Sequence, residues 1–217
     1  LLAPAAMILV PVALVMRQPD LGTAILLMAT ATAILLLAGV RLWKFAVALG
    51  AVLLAIPLAW RFMLHGYQKD RVLTYLNPER DPLGAGYHIM QSKIALGSGG
   101  VFGKGFMQGT QSHLAFLPER QTDFIFTMLA EEFGLVGCFS LLSLYILVIA
   151  YGYAIAIRSR NQFGRLLATG VISTFFLYLF INMAMVMGLI PVVGVPLPLV
   201  SYGGTSMISL LIGFGLL

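Results

Sequence analysis

The residue best suited to chemistry in this sequence is a carboxylate at the start of an apolar run. Asp123 lies in the segment 117–132 (LPERQTDFIFTMLAEE), where Pro118 and Thr122 indicate the beginning of a helix. We therefore predict that Asp123 lies in the first helical turn, where the helix dipole stabilises negative charge. At a membrane boundary such a carboxylate could act as a general base and take the proton of an attacking hydroxyl. A plain helix cap is the alternative role for Asp123.

Two further carboxylates, Glu131 and Glu132, lie two turns deeper in the same apolar run. Ionisable side chains at that depth are costly and usually face a cavity or a partner. The sequence leaves two interpretations open for this pair. The side chains could face a ligand cavity, or they could be buried and bonded to the backbone or to a basic residue.

Polar residues also lie beside other apolar segments. Arg17 and Asp20 flank a tight turn, and the segment 189–205 (LIPVVGVPLPLVSYGGT) interrupts apolar sequence with prolines and glycines. Broken backbone at membrane depth is tolerated only where it is buried in protein or lines a wet cavity. We predict an outward-facing polar cavity with cations around it, which would suit an amphipathic, anionic, lipid-linked ligand. The candidate cations are Arg17, Arg71, Lys93 and Arg120.

The glycine-rich stretch 97–105 (GSGGVFGKG) does not match a phosphate-binding P-loop. Ser98 stands where that pattern needs glycine, and Gly105 stands where it needs serine or threonine. We predict a flexible loop instead, in which Lys104 could touch an anionic headgroup. The three histidines and the single cysteine lack metal-ligand spacing, so we predict no dedicated cofactor, with a divalent cation as an open alternative. No GxSxG elbow for serine hydrolysis occurs.

The elements that must position these residues are membrane helices. Of the 217 residues, 60% are hydrophobic and only 10% are charged, against about 25% charged in soluble domains. This composition excludes a soluble enzyme, a disordered tail and a small disulfide scaffold. A transmembrane helix needs about 20 apolar residues, and we predict an all-α polytopic membrane protein with about six transmembrane helices. The apolar stretches are 1–16, 21–40, 43–60, 133–157, 166–190 and 205–217, of which the second, fourth and fifth are long enough to span.

The placement of charge orients the chain. Twelve of the 21 charged side chains lie in residues 61–123, and two short connections, 41–44 and 158–165, carry only basic charge. Because short basic connections mark the cytoplasmic side, both connections should be inside. We therefore predict three extracytoplasmic segments, which are 17–20, 61–122 and 191–204.

The long external segment exceeds the usual connection length, and such loops tend to be functional or disordered. Its stretch 86–96 puts Tyr87, Met90 and Ile94 on one helical stripe, which predicts a short amphipathic helix at the membrane interface. The whole chain, 1–217, is then a single membrane domain in three parts. They are three transmembrane helices in 1–60, the extracytoplasmic loop 61–122, and three transmembrane helices in 123–217 with the Pro/Gly-broken segment 189–205.

Four runs of this sequence closely resemble the shape, elongation, division and sporulation (SEDS) family, which includes RodA, FtsW and SpoVE. The runs are QPDLGTAILL (18–27), NPERDPLGAGYHIMQSKIALGSGG (77–100), GTQSHLAFLPERQTDFIFTMLAEEFGLVG (109–137) and GLIPVVGVPLPLVSYGGTS (188–206). The resemblance covers essentially the whole chain, and its third and fourth runs are more similar to the RodA branch than to the FtsW branch.

The resemblance implies a peptidoglycan glycosyltransferase in the bacterial inner (cytoplasmic) membrane, with ten helices of which this chain would hold the last six. Such an enzyme polymerises lipid II into glycan strands for cell elongation and rod shape, and it releases undecaprenyl diphosphate. It works beside a class B penicillin-binding protein, which is a transpeptidase, and other elongation-complex proteins, and no nucleic acid is implied. The family's essential glutamate and lysine lie on a helix that this chain lacks, so we expect the chain alone to be inactive.

The resemblance also implies roles for individual residues. The aspartate of the family's TDF motif is Asp123 here, and we predict that it is the catalytic base of an inverting transfer. The chemistry of the leaving group, rather than the resemblance, makes Arg71, Lys93 and Arg120 candidates for a clamp on the diphosphate, where negative charge develops. The predicted substrate-binding residues are Asp20, Arg71, Lys93, Glu119, Arg120 and Ser201.

Two functions of other classes remain open. A lipid II flippase or transporter would also have a broken helix and intramembrane acids. A scaffold that only activates its penicillin-binding partner would need no aspartate at the membrane boundary. The product distinguishes them, because an enzyme makes polymer whereas a transporter only moves lipid.

Overall fold

The computed structural model describes residues 2–18, 20–62, 66–77, 85–110 and 121–217. Over these ranges every regular element is an α-helix and no strand occurs, so the predicted all-α class is confirmed. The eight helices are α1 (Leu2–Arg17), α2 (Leu21–Leu37), α3 (Leu42–Phe62), α4 (Gly66–Leu76), α5 (Ala85–Ser98), α6 (Ile125–Arg158), α7 (Gln162–Val186) and α8 (Gly204–Gly215).

Six of these eight helices are apolar and lie where the hydropathy pattern predicts them. In the described part of the chain, α3, α6 and α7 are long and apolar enough to cross a membrane, whereas α1, α2 and α8 are shorter. The run 21–40 was expected to span, but its helix has only 17 residues. It ends at Leu37 because Gly39 adopts φ +81° and the N–H of Val40 donates to the carbonyl of Leu35, a Schellman motif.

The centre of the bundle is the pair α6 and α7, with α2 packed on α7 as well. Residues 159–161 alone join α6 to α7, so these two helices run antiparallel. Leu26 near the start of α2 packs with Ile181 near the end of α7. Ile34 near the end of α2 lies against Gly170 in the first half of α7. The helices α2 and α7 are therefore antiparallel too.

This packing places both basic connections at one end of the bundle. The end of α2 and the start of α7 line one cavity, so the basic connections 41–44 and 158–165 lie at the same end. Asp20 and Asp123 precede helices that start at the opposite end. A common end for both basic connections is what the charge pattern requires. Which side of the membrane that end faces stays a prediction.

Helix α5 contains the stretch predicted to form an amphipathic helix, and it joins the bundle through a polar side chain. Met90 and Ile94 of the apolar stripe remain 50% and 47% exposed. Ser92 is fully buried instead, and its hydroxyl donates to the carbonyl of Val186 on α7 (2.8 Å). The same hydroxyl lies 2.9 Å from Oγ1 of Thr127 on α6. The small Ser92 lets α5 approach closely, and the apolar stripe faces outward.

Helix α6 is interrupted at Gly134, which adopts φ +63° and ψ −158°. Around the break, helical hydrogen bonds are replaced by bonds to the glycine-rich segment 99–105. The bonds run from Lys104 N–H to Glu131 O (3.0 Å), Gly105 N–H to Glu132 O (3.0 Å), Leu135 N–H to Gly100 O (3.0 Å) and Val136 N–H to Val101 O (3.1 Å). All join backbone atoms, so the segment is docked along the break.

The prediction of a flexible loop at 97–105 is therefore wrong. A Cβ atom at Gly103 would lie 2.1 Å from the carbonyl oxygen of Glu132. A Cβ atom at Gly99 would lie 2.0 Å from the carbonyl oxygen of Ala130. These glycines let one backbone approach another, a use that the sequence pattern alone does not distinguish from flexibility.

Candidate active site

Asp123 lies in a turn, residues 121–124, that immediately precedes α6. The prediction that it lies in the first helical turn is wrong, because α6 begins at Ile125 with Phe124 as its N-cap residue. Phe124 therefore occupies the N-cap position that was the alternative for Asp123, and it makes no side-chain cap bond. The turn is half-buried at Asp123 and buried at Phe124, and it lies at the end of the bundle away from the basic connections.

Three successive carbonyl groups explain why the helix starts no earlier. If the helix extended back to residue 121, these carbonyls would accept bonds from N–H groups one turn ahead. Here a donor from α7 or from the chain beyond it occupies each one. The bonds run from Tyr202 N–H to Gln121 O (2.9 Å), Ser201 Oγ to Thr122 O (2.5 Å) and Asn182 Nδ2 to Asp123 O (2.9 Å). Tertiary contacts thus set the conformation of the turn.

The α7–α8 linker, residues 187–203, forms no helix and contains the predicted broken segment 189–205 except for its last two residues, which begin α8. Side chains from four parts of the fold hold its backbone. The bonds are Tyr75 OH to Leu189 O (2.6 Å), Asn182 Nδ2 to Val195 O (2.6 Å), Leu197 N–H to Ser201 Oγ (2.7 Å) and Tyr145 OH to Pro198 O (2.6 Å). Val195 and Leu197 are buried. The linker is therefore a packed part of the bundle at the end where Asp123 lies.

The linker brings the turns of Asp123 and Asp20 together. A Cβ atom at Gly194 would lie 3.5 Å from Oδ2 of Asp123, so the carboxylate lies over this glycine. The preceding linker residue, Val193, has its carbonyl oxygen 2.1 Å from where a Cβ at Gly22 would be. Gly22 follows Asp20 by two residues. Two adjacent linker residues thus contact both acid-bearing turns.

Asp20 is the N-cap residue of α2 and is exposed. One carboxylate oxygen accepts the N–H of Thr23 (3.0 Å) and the other accepts its hydroxyl (2.6 Å). A carboxylate has about four acceptor positions, so Asp20 can still accept bonds from a ligand. Tyr178 of α7 lines the cavity described next.

A cavity of about 400 Å³ opens beside Gly194 between α2, α7, α8 and the linker. Hydroxyl groups are prominent in its wall. The residues that carry them are Thr23, Thr174, Tyr178, Thr205, Ser206 and Ser209. The sequence pattern did not identify these residues as a group. They could have been found as hydroxyl side chains inside otherwise apolar helices. Such a wall can bond to the hydroxyls of a sugar.

The hydroxyl-lined cavity continues into apolar grooves along α2 and α7. A second cavity of about 300 Å³ shares Thr23, Leu26, Thr174 and Tyr178 with it and is otherwise lined by Thr30 and by apolar residues of α1 and α2. A third cavity of about 480 Å³ shares Ile34 with the second and extends to the start of α7. The combination of a polar mouth and an apolar groove suits an amphipathic ligand.

Ser201, a predicted substrate-binding residue, is buried and bonded on both sides. Its hydroxyl accepts from Leu197 N–H and donates to the carbonyl of Thr122. It therefore ties the linker to the turn that carries Asp123. Direct contact between Ser201 and a substrate stays a prediction.

The structure places few of the predicted cationic groups. Lys93 is exposed on α5, and its side chain passes over Gly188 at the end of α7, with Nζ 2.9 Å from a Cβ built there. Arg71 lies on α4 with its side chain outside the described part, and Glu119 and Arg120 lie outside it entirely. Among the described residues, no three His, Cys, Asp or Glu side chains could hold a metal ion together. The diphosphate clamp stays a prediction.

The deeper carboxylate Glu131 is a buried partner of Lys104. Lys104 Nζ lies 2.7 Å from Oε1 of Glu131 and 2.8 Å from Oγ1 of Thr110, which itself donates to Glu131 (3.1 Å). The Glu131 side chain is 1% exposed and that of Lys104 is 27% exposed. The sequence left open whether Glu131 faces a ligand cavity or is buried and bonded, and the structure shows that it is buried and bonded to a basic residue. The ion pair secures the docked segment 99–105, and a contact between Lys104 and a headgroup stays a prediction.

Comparisons with known proteins agree with this arrangement. The peptidoglycan glycosyltransferase MrdB of Escherichia coli K12 is 55% identical over 210 residues, which are 97% of this chain and 57% of MrdB. A solved chain from a peptidoglycan synthase complex, studied for coordinated polymerization and crosslinking, is 35% identical with a TM-score of 0.81 over 98% of this chain and 59% of its own. Rod shape determining protein RodA of Thermus thermophilus is 28% identical, with a TM-score of 0.64 over 99% and 54%.

The chain thus spans somewhat more than half the length of the relatives described above. Both solved structures share its helical fold across nearly the whole chain. The family model for FtsW, RodA and SpoVE, described as cell cycle proteins, matches residues 1–217. The chain therefore belongs to the FtsW/RodA/SpoVE family of cell cycle proteins.

Proposed function

We propose that the protein to which this chain belongs is a peptidoglycan glycosyltransferase that polymerises lipid II. The observation that carries the proposal is the position of Asp123, whose carboxylate lies over Gly194 beside a hydroxyl-lined cavity. The name of the E. coli relative, a peptidoglycan glycosyltransferase, supports it. A polar mouth that continues into apolar grooves suits a substrate with sugars at one end and a polyprenyl chain at the other.

In this proposal Asp123 is the general base of one inverting displacement. The 4-hydroxyl of the acceptor's GlcNAc attacks C1 of the donor's MurNAc, and Asp123 takes the hydroxyl proton. The bond between C1 and the diphosphate oxygen breaks, and undecaprenyl diphosphate leaves. Diphosphate is a good leaving group, so the reaction needs no second carboxylic acid, unlike glycoside hydrolysis. General base catalysis of this kind typically contributes about 10²–10⁴-fold.

The leaving diphosphate needs positive charge close to it. Arg71, Lys93 and Arg120 are the proposed sources, and a divalent cation could share that role. Asp20 would bind substrate hydroxyls at the cavity mouth, because its carboxylate is exposed and retains acceptor capacity. Glu119 is also among the proposed substrate-binding residues. Ser201 would contribute to substrate binding through its bond to the turn that carries Asp123.

We further propose a multi-pass protein of the bacterial inner membrane with its active site on the extracytoplasmic side. The two basic connections support this orientation, since they lie at the end of the bundle opposite to Asp123. A class B penicillin-binding protein would crosslink the glycan product, beside other elongation-complex proteins. The coordination of polymerization and crosslinking in the complex of a 35% identical relative supports such a partner.

The test is the product made by the purified full-length protein from lipid II. We expect glycan polymer, resolved by size on a gel, in detergent and without any other polymerase. A protein that yields no polymer but moves labelled lipid II across liposomes would be a transporter instead. That second candidate is favoured by one observation, which is the non-helical linker within apolar sequence. Polymer that forms only when a second, active polymerase is added would point to a scaffold.

A further inference from the structure

Asn182 is a buried amide near the end of α7 that the proposed mechanism has not used. It is fully buried in an otherwise apolar part of the helix. Polar side chains at membrane depth are costly unless they are bonded. A residue of this kind at this place therefore needs a physical explanation.

The amide of Asn182 donates to two backbone carbonyls at once. Its Nδ2 lies 2.9 Å from the carbonyl oxygen of Asp123 and 2.6 Å from that of Val195. Both partners are acceptors only, so the NH₂ group must face them, and this fixes the orientation of the amide. The turn before α6 and the α7–α8 linker are thus joined through one nitrogen atom.

The oxygen atom of the same amide makes no hydrogen bond to the described residues. This atom, Oδ1 of Asn182, is buried. An unsatisfied buried acceptor is unfavourable. The two hydrogen bonds from Nδ2 to Asp123 and Val195 must offset this cost, which indicates that they are the structural contribution of Asn182.

Those two carbonyls flank the place where the Asp123 carboxylate lies. Val195 follows Gly194, the residue over which Oδ2 of Asp123 is positioned. Ser201 and Tyr202 hold the neighbouring carbonyls of the turn, which are those of Thr122 and Gln121. Asn182 is the described side chain that bonds to the main chain of both Asp123 and the linker beside Gly194.

We propose that Asn182 is a positioning residue, which sets the place of the Asp123 carboxylate over Gly194, beside the cavity, by fixing the main chain of Asp123 to the linker. This inference rests on the proposed function. A shift of about 1 Å in a reacting group, caused by a change away from the chemistry, can cost about 10²-fold in rate. The loss should appear in kcat and not in the KM for lipid II, because Asn182 is buried and does not face the cavity.

The test compares Asn182→Leu with a matched change elsewhere on α7 in the full-length protein. Thr169→Val is the control, since it also removes a buried polar group, whose bonds are local to the helix. We expect Asn182→Leu to lower the kcat of lipid II polymerisation by about 10- to 100-fold, with the KM within about threefold of the parent. Asn182→Gln, which keeps the donors, should recover part of the rate. A kcat for Asn182→Leu within threefold of the Thr169→Val value would overturn the inference.

A second measurement is independent of activity. The Tyr202 amide donates to Gln121 in the turn, and the Leu197 amide donates to the Ser201 hydroxyl, which is itself bonded to Thr122 in the turn. The hydrogen exchange of these two amides therefore reports whether the linker and the turn stay joined. We expect at least tenfold faster exchange at both amides in Asn182→Leu and unchanged exchange in Thr169→Val. Unchanged protection in both variants would overturn the inference. If the parent makes no polymer, the proposed function fails, and this exchange measurement still decides whether Asn182 holds the turn.

Discussion

The ion pair between Lys104 and Glu131 gives a prediction that follows directly from burial. Replacing Lys104 by Met removes the cation 2.7 Å from a carboxylate that is 1% exposed. Removing one partner of a fully buried pair costs about 3–5 kcal/mol. Lys104 is itself 27% exposed and Thr110 still donates to the carboxylate, so the loss should lie at or just below the lower end of this range. We expect a loss of about 2–3 kcal/mol in unfolding free energy.

The assay is the thermal unfolding midpoint of the full-length protein in detergent, with Lys69→Met as the control. Lys69 undergoes the same chemical change and has no ion pair within the described residues. With roughly 2–4 °C per kcal/mol for chains of 150–250 residues, Lys104→Met should lower the midpoint by about 4–12 °C. Combining it with Glu131→Leu should restore part of the loss, because no buried charge is then left behind. Equal midpoints for Lys104→Met and Lys69→Met would refute this reasoning.

Three further predictions concern backbone contacts around the site. Gly22→Ala should lower lipid II polymerisation by about tenfold or more, since its Cβ would lie 2.1 Å from the carbonyl oxygen of Val193 and push α2 off the linker. Asp20→Ala should cost about 1 kcal/mol in thermal unfolding because the α2 cap is lost, and Asp20→Asn should cost less. Gly134→Ala should cost about 2–3 kcal/mol by the same assay, because φ +63° with ψ −158° is accessible essentially to glycine. Gly50→Ala, in an open part of α3, is its control and should be neutral or stabilising. Wild-type values in Gly22→Ala, Asp20→Ala or Gly134→Ala would contradict the contact assigned to that position.

The sequence predicts the helices well because apolar length is a local property. Each of the six apolar runs forms a helix. The early end of α2 at Leu37 was not predicted, although it follows from a local feature, the positive φ of Gly39. Charge placement also predicts the shared end of the two basic connections. These features need only the chain's own neighbours and the bilayer.

The details of the site depend on partners far along the chain, and local patterns therefore missed them. The start of α6 was predicted too early because the carbonyls of residues 121–123 are taken by Asn182, Ser201 and Tyr202. The glycines of 97–105 were interpreted as flexibility, although they dock against the break at Gly134. Each case is a tertiary bond that replaces a helical one.

Asn182 could have been marked as a candidate functional residue from the sequence alone. A single amide in an apolar run is expensive at membrane depth, and this alone marks it for attention. What it bonds to could not be predicted, because Val195 lies beyond the end of its helix and Asp123 lies at the start of another. The hydroxyl residues of the cavity wall were missed for the same reason.

The most direct test of Asp123 as the general base is the rate at which the full-length Asp123→Asn variant releases undecaprenyl diphosphate from lipid II. Asp70→Asn is the matched control, since Asp70 is an exposed carboxylate on α4. We expect the release rate of Asp123→Asn to fall by about 10²–10⁴-fold, while the variant still inserts in the membrane. The Asp70→Asn variant should keep the parental rate. A parental rate of release, with polymer of normal length, from Asp123→Asn would contradict the central claim.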